Sequence, residues 1–337
     1  MLLSELWFIL VGVLFVGFVF LEGFDFGIGM STKFLARNDK EKRLLINSIG
    51  PFWDANEVWL LTAGGAMFAA FPHWYATLFS GFYIPFVALL LCLIIRGVAF
   101  EFRHKVESAK WTKTWDLAIF VGSLLPPFLL GVMFSCLIQG LPVDENMNMY
   151  AGFFDVVNVY SVVGGLGFVL LAYLHGLMFA TLKIEGELRE RARLQAMKLY
   201  YPIGVALVLF VALTYVYTDV FSNHGLILAV VYGLVVALYL LLLPLLKNKK
   251  EGYSFTVTGA MIALVTASFF VGLFPNVIIS SIDSSFSISL YEAASGAYSL
   301  KVMTIVAAIM VPIVLAYQVW SYYIFRKRVT DKEHLEY

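Results

Sequence analysis

The chain has 337 residues, of which 61% are hydrophobic and 14% are charged, and its formal net charge is zero. A soluble domain of this length exposes far more charge, so the composition indicates a membrane protein with several spans and gives no indication of a nucleic-acid partner. The two cysteines, Cys92 and Cys136, lie in apolar runs. We therefore expect no disulfide, zinc site or iron–sulfur cluster.

Nine apolar stretches are long enough to cross a bilayer, whose hydrocarbon core of about 30 Å needs about 20 helical residues. The first stretch follows a segment without basic residues, so we expect a retained helix and not a signal peptide. The predicted spans are Leu6–Phe26, Pro51–Phe71, Tyr75–Val98, Trp115–Leu137, Val156–Leu182, Tyr200–Tyr217, Leu226–Leu246, Phe255–Ile278 and Ser299–Phe325.

The basic residues are concentrated in every second connection between these spans. The odd-numbered connections and the C-terminal segment carry them, whereas the even-numbered connections carry acidic residues such as Asp144, Asp219 and Glu292. Of the 23 basic residues, only Arg96 and Lys301 depart from this pattern. The positive-inside rule then places the N-terminus outside and the C-terminus in the cytoplasm. A wrong number of spans would break the alternation, so the pattern favours nine.

A short internal repeat suggests how the spans are grouped. Gly17-Phe-Val-Phe-Leu21 in the first span recurs as Gly167-Phe-Val-Leu-Leu171 in the fifth. Four spans separate the copies, so both copies point the same way and the repeat is parallel. We predict an all-α polytopic membrane protein with two parallel four-helix bundles (residues 1–145 and 146–285). A peripheral ninth helix and a cytoplasmic tail (286–337) complete it.

Ionisable side chains inside the spans are concentrated near the predicted cytoplasmic ends of the first three. Glu22 and Asp25 are three residues apart in the first span, Asp54 and Glu57 repeat that spacing in the second, and Arg96 lies in the third. Each such residue costs about 2.5–3.5 kcal/mol to insert, which makes it a candidate for function. The cluster is either a proton or cation path from the cytoplasm or a set of mutually neutralising charges that holds the three helices together. We expect Arg96 to pair with Asp25, Asp54 or Glu57, whereas Glu22 could simply lie at the interface.

Asp54 is the strongest single candidate for function, because it lies between Trp53 and Asn56 in an otherwise apolar helix. The histidines argue against a redox cofactor on this chain. Only His175 lies within a span, whereas an electron-transfer haem usually takes two axial ligands. We expect His175 to pack or to form a hydrogen bond, although the repeat places it where Asp25 stands in the first half. No residue is assigned to a cofactor or a metal.

Longer motifs make a family recognisable. They are Glu-Gly-Phe-Asp-Phe-Gly at 22–27, Asn-Ser-Ile-Gly-Pro-Phe-Trp-Asp-Ala-Asn at 47–56, Gly-Gly-Ala-Met-Phe-Ala-Ala-Phe-Pro at 64–72, Arg-Gly-Val-Ala-Phe-Glu-Phe-Arg at 96–103 and Gly-Ser-Leu-Leu-Pro-Pro at 122–127. With these motifs and its ninth helix, the whole chain resembles subunit II of the cytochrome bd quinol oxidases.

The resemblance implies a bacterial respiratory terminal oxidase that oxidises quinol, reduces dioxygen to water and generates a proton motive force. It implies that haems b and d and the quinol-oxidising loop belong to subunit I, the partner in a pseudo-symmetric heterodimer. The resemblance leaves open whether a small single-helix accessory subunit is also present. At matching positions the resemblance gives Asp54, beside Trp53, a role in proton delivery, and it places Asp25 and Arg96 among polar positions of the same bundle. The short connection 219–225 argues against the structural quinone found in some relatives.

Two other classes of protein are alternatives. A proton-coupled secondary transporter could use the acidic cluster for coupling, and a purely structural scaffold could support a catalytic partner. Transporters commonly have broken helices at matching positions of both halves, and the sequence offers no such pair. The oxidase subunit is therefore the favoured reading.

Overall fold

The computed structural model describes residues 2–330, and most of them are helical. Thirteen α-helices lie in this part of the chain: α1 Leu3–Phe34, α2 Asp39–Ile49, α3 Trp53–Ala70, α4 Pro72–Gly81, α5 Tyr83–Phe102, α6 Ala109–Gln139, α7 Phe153–Val156, α8 Val159–Lys183, α9 Gly186–Tyr217, α10 Val220–Lys247, α11 Glu251–Leu273, α12 Leu290–Ala293 and α13 Ala297–Ile324. Two short strands, β1 Asn276–Ile278 and β2 Ile288–Ser289, pair antiparallel between α11 and α12.

Eight of the described helices are long and apolar enough to cross a membrane, namely α1, α5, α6, α8, α9, α10, α11 and α13. This confirms the predicted helical membrane architecture. The second predicted span corresponds to α3, which is not among the eight because Asp54, Asn56 and Glu57 lower its mean hydropathy. Its 18 residues rise about 27 Å, close to the thickness of the hydrocarbon core. The count of nine spans stays a prediction.

The third predicted span is interrupted in the structure. The helix breaks at Phe82, between the end of α4 at Gly81 and the start of α5 at Tyr83. Pro85 explains the break, because it has no N–H to donate to the carbonyl of Gly81 four residues earlier. The prediction of one continuous helix over Tyr75–Val98 was therefore wrong.

The basic connections meet at one end of the helix bundle, which we call the basic end. Ion pairs join α2 to the end of α5 and to the starts of α6 and α9, and they join α5 to α6. Further ion pairs join α11 to α9 and to the segment after α13. They are Lys42–Asp116 (2.6 Å), Arg103–Asp116 (2.7 Å), Arg103–Asp39, Arg191–Glu41 (2.5 Å), Arg189–Glu251 and Arg328–Glu251 (3.6 Å). The alternation of charge along the sequence is thus a segregation of charge in space.

The opposite end is covered by the segments that follow α6 and α11. The N–H of Leu141 donates to the carbonyl of Ile279 (2.9 Å), and the N–H of Ser295 donates to the carbonyl of Ala70 at the end of α3 (2.8 Å). Helix α3 therefore runs from the basic end to the opposite end. The strand pair departs from the all-α prediction: α11 ends at Leu273, whereas the predicted eighth span continued to Ile278.

Contacts at the helix ends show the direction of the repeat. Trp7 near the start of α1 donates to Thr304 near the start of α13 (3.0 Å), and Lys183 at the end of α8 donates to the carbonyl of Lys327 just after α13 (2.8 Å). Helices α1, α8 and α13 thus point the same way, as a parallel repeat predicts. In α13 only Leu300 is buried, so this helix is peripheral. The domain boundaries stay predictions, and the last residues, with Lys332, lie outside the described part.

Candidate functional site

Arg96 of α5 is the centre of a buried polar cluster. Its side chain is fully buried, forms an ion pair with Glu22 of α1, and places Nη2 3.5 Å from Oε2 of Glu57 in α3. The guanidinium carbon lies 4.6 Å from the ring centroid of Phe26, a cation–π contact. Gly122 of α6 permits this close packing, because a Cβ atom there would lie 2.7 Å from the Cβ of Arg96. The arginine therefore links helices α1, α3 and α5.

Of the three carboxylates named as partners of Arg96, the structure places Glu57 in an ion pair with it and shows no ion pair for Asp25 or Asp54 in the described residues. The main partner of Arg96 is Glu22, which the sequence places in the same charged cluster but which was not among those three carboxylates. Glu22 is fully buried, because α1 extends to residue 34, about two turns beyond its predicted span. A longer apolar segment after residue 26 was the signal that could have revealed this.

Asp25 belongs to a separate hydrogen-bond network. The amide of Asn56 donates to Asp25 Oδ2 (2.7 Å), and both side chains are fully buried. The hydroxyl of Tyr322 and the amide of Gln318 donate in turn to Asn56 Oδ1, at 2.8 and 3.3 Å. Trp59 donates to Gln318 Oε1 (2.9 Å). The peripheral helix α13 thus orients Asn56 toward Asp25, a contribution that sequence reasoning missed although Gln318 is a conspicuous amide in an apolar helix.

Asp54 is exposed and lines a groove of about 570 Å³ between α3 and α5, which we call the α3–α5 groove. Trp53, Glu57 and Glu101 also line this groove. Glu57 is the only one of the four that also contacts Arg96. The groove and the buried cluster therefore meet at Glu57.

Helix geometry explains why α3 serves two sites. Successive residues of a helix are rotated by about 100°, so Asp54 and Glu57 lie close to one face while Asn56 points away from it. Trp53 packs on α5, with its ring 5.4 Å from that of Phe100 and close to Gly97. The four carboxylates thus divide into the Glu22–Arg96–Glu57 cluster, the Asp25 network and the exposed Asp54.

His175 of α8 is fully buried, and its Nδ1 lies 2.8 Å from the hydroxyl of Thr258. Its ring stacks on Phe255 with 4.4 Å between centroids and also contacts Phe20 and Phe24. The expected packing and hydrogen-bonding role is confirmed. Three phenylalanine rings therefore pack around the imidazole. Within residues 2–330, no group of three His, Cys, Asp or Glu side chains could hold a metal ion.

These features define a polytopic helical membrane protein that keeps charged groups inside its spans, where such groups commonly serve the movement of protons or ions. Its sequence identifies the family. The chain belongs to the cytochrome bd terminal oxidase subunit II family, whose sequence model matches residues 3–325.

Relatives cover the chain almost completely. It is 53% identical over 335 residues to the cytochrome bd ubiquinol oxidase subunit 2 of Bacillus subtilis strain 168, with 99% of each chain covered. It is 36% identical over 367 residues to the cytochrome bd-I ubiquinol oxidase subunit 2 of Escherichia coli K12, with 99% of this chain and 97% of the relative covered. A chain in the structure of the bd oxidase from Geobacillus thermodenitrificans matches with a TM-score of 0.77 and 17% identity, over 97% of this chain and 100% of that one, which shows a shared fold.

Proposed function

We propose that this chain is the non-haem-ligating subunit II of a quinol:oxygen oxidoreductase, a respiratory terminal oxidase that reduces dioxygen to water and generates a proton motive force. The observation that carries the proposal is membership of the subunit II family over residues 3–325. The names of the Bacillus and Escherichia relatives as ubiquinol oxidase subunits support it. Family membership gives no support to the alternative of a proton-coupled secondary transporter.

The chain acts as an enzyme only within a complex. Its partner is the haem-bearing subunit I, which holds haem b and haem d and oxidises the quinol, and a small single-helix accessory subunit could complete the assembly. Only His175 lies within the predicted spans, whereas an electron-transfer haem usually takes two axial ligands, which supports placing the haems in the partner. The complex lies in the bacterial cell membrane. The segregation of basic residues at one end supports an outside N-terminus and a cytoplasmic C-terminus.

Within the complex, the chain supplies a proton path from the cytoplasm. Asp54 opens on the α3–α5 groove at the basic end, where it can exchange protons with water. Glu57, one helical turn further along α3, lines the same groove and contacts Arg96. A carboxylate can accept a proton on one side and release it on the other. Asp54, Glu57 and Glu22, in that order, would therefore carry protons from the groove into the helix bundle.

Two residues stand beside this path. Asp25, fully buried and held by Asn56, is a second inner carboxylate that α13 orients. Trp53 forms an apolar wall of the groove next to Asp54. The buried ion pair between Arg96 and Glu22 also supports the other reading of the cluster, in which charges hold the helices together. The function of the path therefore has to be tested at Asp54, which forms no ion pair in the described residues.

The test compares Asp54→Asn with Asp54→Glu in the purified complex. Asn keeps the shape but cannot release a proton, so the complex should assemble with normal haem spectra while quinol-driven oxygen consumption falls about tenfold or more. The Glu variant should retain more activity than the Asn variant. Glu107→Gln is the matched control, because it removes an exposed carboxylate from the basic end outside the groove.

One outcome would contradict a proton path that enters at Asp54, and a second would support the structural reading of the cluster. If Asp54→Asn consumes oxygen at the wild-type rate, Asp54 is structural and the entry point has to be sought at Glu57 and Asp25. If the haems are lost together with the activity, the cluster holds the assembly together. Neither outcome would alter the assignment of the chain as subunit II, which haem spectra of the complex and of the isolated chain test separately.

A further inference from the structure

A second polar cavity, of about 570 Å³, lies at the basic end between the segment that follows α1 and the first turns of α9. Three basic side chains line it, those of Arg37, Arg191 and Lys198. Its described lining includes no acidic residue. We call it the α1–α9 cavity. Its lining shares no residue with the α3–α5 groove and includes none of the carboxylates of the proton path.

The charges around the cavity do not cancel. Arg191 is neutralised by Glu41, with 2.5 Å between Nη2 and Oε2, and Glu41 also accepts the backbone N–H of Arg37 (2.7 Å). Burial by itself would raise the pKa of Glu41, but the hydrogen bond from Arg191 and the one from the backbone of Arg37 bring that pKa below its ordinary value, so Glu41 stays ionised. The exposed side chains of Arg37 and Lys198 form no ion pair in the described residues. Two positive charges remain at the cavity.

Apolar side chains lie directly beside these charges. Phe34 and Leu194 line the cavity and are 51% and 49% exposed. Lys198 lies two residues before Tyr200, where the predicted sixth span begins. The cavity therefore lies at the depth of lipid head groups, with cations on its polar side and an exposed apolar wall toward the membrane.

We propose that the α1–α9 cavity binds the phosphate group of an anionic phospholipid. Arg37 and Lys198 supply charge-assisted hydrogen bonds to phosphate oxygens, and Phe34 and Leu194 contact the acyl chains. A zwitterionic lipid would bring an ammonium group close to the two cations, which is unfavourable. Free phosphate would use the cations but leave the apolar wall exposed. The site joins α1 of the first half to α9 of the second half through one lipid.

The test uses the purified complex, stripped of lipid by detergent exchange and titrated with phosphatidylglycerol, with bound lipid counted by native mass spectrometry. Arg37→Gln/Lys198→Gln should weaken phosphatidylglycerol binding about 30-fold, since each basic residue near a membrane contributes about 1 kcal/mol to binding an anionic lipid. Lys105→Gln/Lys110→Gln is the matched control, because it removes two exposed charges from the same end outside the cavity. Both variants should keep normal haem spectra, because all four side chains are exposed.

Three results would overturn the proposal. Equal binding by the two double variants would mean that the lipid is attracted by general surface charge. Equal loss of phosphatidylcholine and phosphatidylglycerol in the cavity variant would mean that the site does not select an anionic head group. Displacement of phosphatidylglycerol by millimolar inorganic phosphate would assign the site to a free anion. The readout is lipid binding, so failure of this proposal is distinguishable from failure of the proposed oxidase function.

Discussion

Gly27 of α1 and Gly176 of α8 lie backbone against backbone. A Cβ atom at Gly27 would stand 2.6 Å from the Cα of Gly176, and one at Gly176 would stand 2.4 Å from the Cα of Gly27. Real Cβ atoms do not come so close to backbone, so both positions require glycine. Since α1 and α8 carry the two copies of the repeat, this crossing joins the two predicted halves of the protein.

We predict that Gly176→Ala destabilises the complex. The added methyl group would force α1 and α8 apart, an overpacking that costs about 1–3 kcal/mol. The expected result is a lower midpoint temperature for loss of the haem spectrum on heating. Gly167→Ala is the control, because it lies on the same helix with nothing within 4 Å of its Cβ position. Equal midpoint temperatures for the two variants would show that α1 and α8 can move apart without a loss of stability.

Replacing Arg96 by Leu should impair assembly of the complex. The change leaves Glu22 buried without its cation, and breaking one side of a buried ion pair costs about 3–5 kcal/mol. The measurement is the yield of haem-containing complex after purification. The double variant Arg96→Leu/Glu22→Leu should recover yield, because an apolar pair can replace a buried ion pair with little loss. Normal assembly and turnover of Arg96→Leu alone would refute the importance of the pair.

Tyr322→Phe tests the contribution of α13 to the Asp25 network. Phe keeps the stacking on Phe52, whose ring centroid is 4.4 Å away, but it lacks the hydroxyl that donates to Asn56 Oδ1. We expect a loss of about 0.5–1.5 kcal/mol in stability, measured by thermal unfolding of the complex. Tyr323→Phe is the control, because Tyr323 is 62% exposed. If both variants unfold at the wild-type temperature, the hydrogen bond from Gln318 is sufficient to hold the side-chain amide of Asn56 in place.

Reporter fusions test the membrane topology. A reporter placed after Tyr150 should report the outside and one placed after Gly252 the cytoplasm, because the former follows the segment opposite the basic end and the latter adjoins Glu251 at the basic end. A third fusion after His73, in the first turn of α4, decides whether α3 crosses the membrane and should report the outside. The same side for the first two would contradict the topology, and a cytoplasmic signal after His73 would leave eight spans.

Sequence alone determined the architecture of this protein. The lengths of the apolar runs predicted all eight helices of the described part that are long and apolar enough to cross a membrane, and the alternation of basic residues predicted which connections meet at one end. Both signals are local, because insertion into a bilayer is decided segment by segment from length, hydropathy and flanking charge. The break at Phe82 was also encoded locally, in Pro85, and was overlooked.

Only the tertiary structure decided which charged groups meet. Glu22 and Asp25 are one turn apart on α1, yet Glu22 pairs with Arg96 on α5 while Asp25 binds Asn56 on α3. In a soluble helix, apolar periodicity shows which face is buried. In a membrane helix, the faces toward lipid and toward protein are both apolar, so periodicity does not distinguish them. The partners of a buried carboxylate then depend on how α1 is rotated against its neighbours, and packing at residues such as Gly27 and Gly122 sets that rotation.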